Sequence, residues 1–505
     1  MAENLFAVIA ERITDPAKPF IEKGDGTTYS YNDVLDLSAR CARCLVDLGI
    51  KPGDRVAAQV DKTPEAIMLY LGCLRAGAIY LPLNTGYTDV EVEYFLGDAE
   101  PVLAVCSPKV KDSFDRVAAA TGVAHVETLD SEGAGSLSEK VQAADNDFGI
   151  VTRGEDDLAA ILYTSGTTGR SKGAMLTHGN LASNARALAQ VWQFSSDDVL
   201  LHALPIFHTH GLFVAINVPL MAGSSMLFLP SFDVEEMLRL LPRATVMMGV
   251  PTFYTRLLSH SGLTRDLVRH IRLFISGSAP LSAETHKAFE ERTGHAILER
   301  YGMTETNMIT SNPYEGARRP GTVGFALPGV KIRVADLESG RPLKTNEVGV
   351  IEIYGPNVFK GYWRMPEKTE AEFREDGYFI SGDLGVIDDQ GYLAIVGRNK
   401  DLIISGGYNV YPAEIEAALD AVGQVSESAV IGLPHPDFGE GVTAVVVPKD
   451  GCEISEDKLR KTLETQIAKY KVPKRIYFVG SLPRNAMGKI QKNILRESYK
   501  DTYRR

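Results

Sequence analysis

The run from Thr164 to Gly173, TSGTTGRSKG, sets hydroxyl side chains, three glycines and a lysine directly after an apolar stretch. Gly166, Gly169 and Gly173 let backbone N–H groups come close to an anion. The hydroxyls of Thr164, Ser165, Thr167 and Thr168 can donate, and Lys172 adds charge. That is the chemistry of a phosphate grip. The Walker pattern ends in Gly-Lys-Ser/Thr, whereas here Ser171 precedes Lys172 and Gly173 follows it, which disfavours an ordinary P-loop NTPase. In ERYGMTET (299–306), Thr304 and Glu305 put a hydroxyl beside a carboxylate, a pair suited to phosphate and magnesium. SGDLG (381–385) offers Asp383 in a turn, where a carboxylate can accept two ribose hydroxyls. GRNKD (397–401) offers Arg398, and PRNAMGKIQK (483–492) offers Lys489 on a glycine-marked loop. Singly, each has an ordinary structural reading: a cap, a turn aspartate, a surface arginine, a solvated lysine.

A scaffold must hold these groups, and the surrounding pattern alternates short β-branched runs with helical stretches. RVAAQV (55–60) reads as a buried strand, Pro64 to Ala76 as a helix and AIYLPL (78–83) as the next strand. VLAVC (102–106), AAILYT (159–164), SSMLFLP (224–230), ATVMMGV (244–250) and RLFISG (272–277) continue the alternation. The pattern predicts an α/β architecture of layered, largely parallel sheets. From Gly324, turn-rich runs such as VKIRVAD and GYLAIVGR predict a small β-barrel-like subdomain closing the large one. Leu402 onward predicts a separate, smaller α+β domain of roughly a hundred residues. The expected division is 1–400 and 401–505, with the join near Arg398 to Asp401.

Composition narrows the classes of function. A chain of 505 residues is too long for one compact core, and 44% hydrophobic with 23% charged residues is ordinary for a globular protein. A net charge of -12 argues against a general nucleic-acid or membrane-surface binder, but not against a locally basic pocket for small anions. Cys41 and Cys44 form a CxxC, yet no second Cys or His pair stands at ligand spacing, so they read as small packing residues of an amphipathic helix. Five scattered cysteines, no membrane-length apolar run and an acidic N-terminus point to the cytoplasm.

As a set, the motifs carry a resemblance. YTSGTTGRSKGAMLTH, YGMTET, SGDLG, GRNKDLIISGGYNVYP and PRNAMGKIQK match, in order, the core motifs of the acyl-adenylate-forming family, which holds acyl-CoA synthetases, luciferases and peptide-synthetase adenylation domains. The match spans essentially the whole chain. It implies an AMP-binding N-terminal domain and a mobile C-terminal lid, with ATP, Mg2+ and coenzyme A as cosubstrates and cofactor. The implied chemistry has two steps: a carboxylate attacks the α-phosphorus of ATP, and a thiol then displaces AMP. By the resemblance, Lys489 bridges carboxylate and α-phosphate. The stretch Thr164, Ser165, Gly166, Thr167, Thr168 and Lys172 grips the β- and γ-phosphates. Thr304 holds the α-phosphate, Glu305 the metal, and Asp383 with Arg398 the ribose. Gly277, Ser278, Ala279 and Pro280, with Glu299, Arg300, Tyr301, Gly302 and Met303, enclose the adenine side. Lys400 stands at the hinge position, and rotation there brings Ser405, Gly406, Gly407 and Tyr408 in to guide the thiol.

The acid is a finer question. IFHTHG (206–211), the segment after Val250, SGSAP and GMTETN line the family's acyl pocket, where His208 matches a gating histidine and Thr209, Ser278 and Met303 shape the floor. Arg256 in VPTFYTRLL is a cation among apolar and aromatic residues, and a guanidinium matches a second carboxylate on the substrate. LPIFHTHGLF, GVPTFYTRLL, RYGMTETNM and GPNVFKGYWRMPEKT resemble the malonyl-CoA synthetase branch, which implies malonate with leakage to methylmalonate. A ligase for another short or aromatic acid is the same-class alternative; a luciferase-like oxygenase or an inactive acyl-AMP binder is the different-class one. Lys489 is also a candidate for a protein acetyltransferase, since acetylation would remove its charge.

Overall fold

The helix expected from Pro64 to Ala76 forms over those residues, and its ends show why. Thr63 caps it by accepting from the Ala66 N–H, Pro64 fills the first turn, and Gly77 closes it in the left-handed region. Nearly every side chain of this helix is buried, as suits a helix layered between sheets. It crosses the helix Tyr31–Asp47 so closely that a Cβ on Gly72 would lie 2.4 Å from the Cys41 Cβ. Cys41 and Cys44 are therefore packing residues of that crossing, both buried, and burial pushes both thiol pKa values up.

The computed structural model describes residues 4–164, 171–485 and 488–504. Among these, two large sheets carry the N-terminal body. The seven-stranded sheet runs in the order 361–362, 172–177, 158–164, 79–82, 55–59, 103–106 and 125–128. The nine-stranded sheet runs 325–326, 307–311, 298–303, 273–276, 246–249, 199–202, 225–228, 19–23 and 28–30. Both have parallel centres, as the alternating β and α pattern requires; the nine-stranded sheet is antiparallel at both margins, the seven-stranded one only at the margin that carries 172–177 and 361–362. One continuous apolar core runs through this body, and a second covers the other face of the seven-stranded sheet. The turn-rich region forms a four-stranded antiparallel sheet of 331–335, 349–354, 379–387 and 393–398.

Residues 403–478 contribute a further sheet, ordered 408–410, 403–405, 439–448 and 425–435, with 475–478 parallel to 439–448. Its two faces carry separate apolar clusters, one around Ile403, Ile415 and Leu463 and one around Leu433, Leu482 and Leu495. A small cluster in which Leu402 and Tyr411 pack on Ala335, Val350 and Leu384 joins it to the four-stranded sheet. Among the described residues no helix is long and apolar enough to cross a membrane.

Candidate active site

Three groups of side chains converge where the ends of the N-terminal sheets meet the loop that carries Lys489. The first lies at the base of the phosphate-grip hairpin. Thr164 and Lys172 are paired residues of antiparallel strands, so the strands fix both ends of the intervening loop. Ser165, Gly166, Thr167 and Thr168 lie outside the described residues. The Lys172 ammonium sits 3.1 Å from Glu372 Oε1 and 3.9 Å from the centre of the Tyr362 ring. The Tyr362 hydroxyl stands between two carboxylates, 2.6 Å from Glu372 Oε2 and 3.0 Å from Glu305 Oε1, and its single proton goes to the nearer Glu372. Glu305 is 7% exposed, and burial raises its pKa. Glu372 is held below the usual carboxylate range, because hydrogen bonds from Lys368 and Tyr362 and the Lys172 charge outweigh its burial. The tight turn of Thr304 and Glu305 depends on Gly302, where a Cβ would meet the Asn307 carbonyl at 2.2 Å.

The second group joins the N-terminal body to the C-terminal loop. Asp383 and Arg398 face each other on paired strands; Asp383 Oδ1 is 3.1 Å from Arg398 Nε, and Oδ2 accepts from the Tyr301 hydroxyl at 2.6 Å. Lys489 is half-buried beside this pair, its backbone N–H donating to Asn485 Oδ1 at 3.0 Å. Burial, together with the Arg398 charge, brings its pKa down to about 8. Lys400 lies near the same charges, and burial and Arg398 lower its pKa as well. Residues 406–409, by contrast, form an exposed hairpin turn. Gly406 and Gly407 take positive φ, and Tyr408 stacks on Tyr470 at 4.7 Å, 59% exposed. Only Ser405 of the expected thiol path is buried.

The third group is the acid side. His210 Nδ1 lies 3.1 Å from Ser278 Oγ, and Ser278 holds a left-handed backbone at φ 73°, uncommon for a non-glycine residue. A Cβ on Gly277 would fall 2.4 Å from Arg300 Cζ, so only glycine admits that guanidinium. Arg300 is 4% exposed, and its Nε and Nη2 have no hydrogen-bond partner; burial pushes its pKa down to about 9. His210 Nε2 and Thr209 Oγ1 are also buried without partners. Burial and Lys489 lower His208 to about 4, so it is neutral at pH 7. Glu299, by contrast, is pushed up to about 8 by burial, although it accepts N–H bonds from Leu281 and Gly321.

The two arginines of this region stand in different settings. Arg256 is exposed, lies over the Phe232 ring at 5.8 Å and lines a cleft of ≈ 280 Å³ with Arg484 and Gly488. Arg300 turns its guanidinium onto Gly277, in the field of His210. The sequence reading missed Tyr362 and Glu372 altogether. Glu372 lies among the closely spaced acids of PEKTEAEFRED, and no local signal distinguishes it.

The chain matches the AMP-binding enzyme family over residues 10–363 and the AMP-binding enzyme C-terminal domain over residues 414–489. It belongs to that family. A malonate–CoA ligase of Arabidopsis thaliana is 35% identical over 94% of this chain and 85% of its own length. A feruloyl-CoA synthase of Amycolatopsis is 36% identical over 94% of each chain. ATP-bound MatB from Rhodopseudomonas palustris superposes with a TM-score of 0.98 at 59% identity over all of both chains. The apo form of MatB, at the same identity and coverage, gives 0.87. The arrangement described here is thus the one similar to the ATP-bound member of the family.

Proposed function

We propose that this chain ligates malonate, and methylmalonate less selectively, to coenzyme A at the expense of ATP. The path runs through malonyl-AMP and releases pyrophosphate and then AMP. The observation that carries the choice of acid is Arg300, a buried guanidinium with two nitrogens unpartnered and no ion-paired carboxylate among the described residues. A buried cation left unpaired is costly, and a second carboxylate on the substrate supplies the missing charge. His210 and Ser278 stand next to it as further polar partners. Similarity to the malonate–CoA ligase of Arabidopsis thaliana and to MatB supports the same acid. Arg256, at the neighbouring cleft, is assigned to drawing the dianion in.

In the first step the substrate carboxylate and the α-phosphate are both anionic, and catalysis consists of alignment and charge neutralisation. Lys489 is assigned to bridge them, with Asp383 and Arg398 on the ribose and Thr304 on the α-phosphate; Lys172 takes the leaving phosphates. The donor set suits a magnesium ion: Glu305 is a buried carboxylate, disfavoured in its charged form, with one oxygen 3.0 Å from the Tyr362 hydroxyl. When bound there, magnesium supplies the positive charge that the triphosphate oxygens need. Neutral His208 lets the acid side close without adding a cation next to Lys489. For the second step we assign a swivel near Lys400 that withdraws Lys489 and turns the segment from Ser405 to Tyr408 inward. We place the enzyme in the cytoplasm. Because about half of Lys489 is unprotonated near pH 8, its amine is also a credible acetyltransferase target.

The test is AMP release with malonate, methylmalonate, succinate, acetate and 4-coumarate, each with and without coenzyme A. Malonate should lead, with methylmalonate next. Coumarate or acetate leading would overturn the reading of the acid. Full activity of a sample shown by mass spectrometry to be acetylated at Lys489 would refute the role given to its charge.

A further inference from the structure

Lys172 is the lysine assigned to the β- and γ-phosphates, yet its ammonium already has a carboxylate and an aromatic face as partners within the protein. It contacts Glu372 Oε1 at 3.1 Å, lies over the Tyr362 ring at 3.9 Å and is 15% exposed. Glu372, at the end of the helix Pro366–Ala371, does not depend on Lys172 alone: Lys368 pairs with the same oxygen at 2.8 Å, and Tyr362 donates to the other at 2.6 Å. Removing Lys172 therefore leaves Glu372 ionised and paired. Removing Glu372 leaves Lys172 with an aromatic face and the field of Glu305, but without its direct ion pair. The pair is lopsided. The carboxylate can give up the lysine and keep its other bonds, so it is a ready place for the lysine to return to.

We propose that Glu372 is a positioning residue that competes with phosphate for Lys172, holding the lysine when the site is empty and taking it back so that pyrophosphate can leave. The inference rests on the assigned role of Lys172 toward the leaving phosphates. Both events are exchanges of one charge-assisted contact for another, with no bond to phosphorus involved. The Tyr362 hydroxyl, shared with Glu305, ties this exchange to the carboxylate assigned to magnesium. Occupation of Glu305 by a cation and release of Lys172 toward phosphate thus act on one hydroxyl from its two sides.

The experiment measures malonate-dependent AMP release by the full-length chain, with pyrophosphate added as product inhibitor against ATP, for wild type, Glu372→Gln and Glu372→Asp. With its competitor neutralised, Lys172 stays on phosphate. The pyrophosphate inhibition constant and the KM for ATP should each fall about five- to tenfold in Glu372→Gln, the scale of one charge-assisted contact, while kcat also falls. Glu372→Asp keeps the charge but withdraws it by one methylene, and should lie between the two. A merely structural role moves these constants the other way, toward weaker binding. An inhibition constant equal to or above that of wild type in a folded Glu372→Gln would overturn the proposal; if that variant does not fold, the same result in Glu372→Asp would do so. Wild-type AMP release is scored first. An inactive wild type rejects the ligase reading, whereas an active wild type with an unaltered variant rejects only the role of Glu372.

Discussion

The N-terminal body and the C-terminal body present their functional groups in opposite ways. In the first, Asp383, Tyr301 and Arg300 sit within strands, His210 opens a helical turn and Ser278 holds a strained backbone, and all but Ser278 are buried before any substrate arrives. In the second, Lys489 stands on a loop, and residues 406–409 are exposed. The two bodies touch lightly. Leu402 and Tyr411 rest on a small apolar patch, Lys449 and Glu284 approach to 3.6 Å with both side chains substantially exposed, and Gly488 lies against Thr252. On the proposed reading, the recognising half is preorganised and the reacting half is exchangeable. A lid that must give way to a thiol requires weak docking, whereas a pocket that must select an acid requires rigid walls.

The largest break in this comparison is Lys489→Gln, which removes the charge that the C-terminal half is proposed to bring to adenylation. Adenylation, read as ATP–pyrophosphate exchange, should fall by roughly 100-fold or more, the usual scale for losing a preorganised charge. Thioester formation from supplied malonyl-AMP should change little, and equal damage to both steps would contradict the division of labour. Next comes the fixed half. Arg300→Met should lower kcat/KM for malonate by about 10- to 100-fold while sparing acetate, and Arg256→Met, at an exposed position, should cost less. A pH series sharpens the comparison further. Burial and Arg398 depress Lys489 to about 8, so its charge is present below that value and lost above it. The kcat/KM for ATP should accordingly decline as pH rises through about 8, and a flat profile from pH 7 to 9.5 would contradict this. The smallest effect is expected from Lys449→Ala, since one exposed pair is worth less than about 1 kcal/mol; both half-reactions should stay within a few-fold of wild type.

Much of the architecture is legible because buried parallel strands and their helices announce themselves by run length and caps, as over Arg55–Gln59 and Pro64–Ala76. The Asp383–Arg398 pairing was legible as two motifs but not as one contact, since register across a strand pair is not written locally. Arg256 and Arg300 show the limit most clearly. Both are arginines near apolar residues, and the sequence singles out Arg256 on its helix while Arg300 stands in the adenine-side motif. What distinguishes them is the missing side chain at Gly277, a neighbour distant in the chain that makes room for Arg300 alone. Glu372 escaped for a related reason: its meaning lies in partners as far away as Lys172.

The chain passes between the two bodies once, between the strands Leu393–Arg398 and Ile403–Ser405, and this also sets an order of assembly. Strand 19–23 must wait for 225–228, and the hairpin carrying Lys172 is completed at its edge only by 361–362. The first body therefore closes late in synthesis. The second draws its sheet and both apolar clusters from residues after 402, so it can form within seconds of leaving the ribosome, with nothing upstream to await. On the proposed roles, a nascent chain would hold its acid pocket before it owns Lys489, and adenylation would wait for the stretch that carries that lysine.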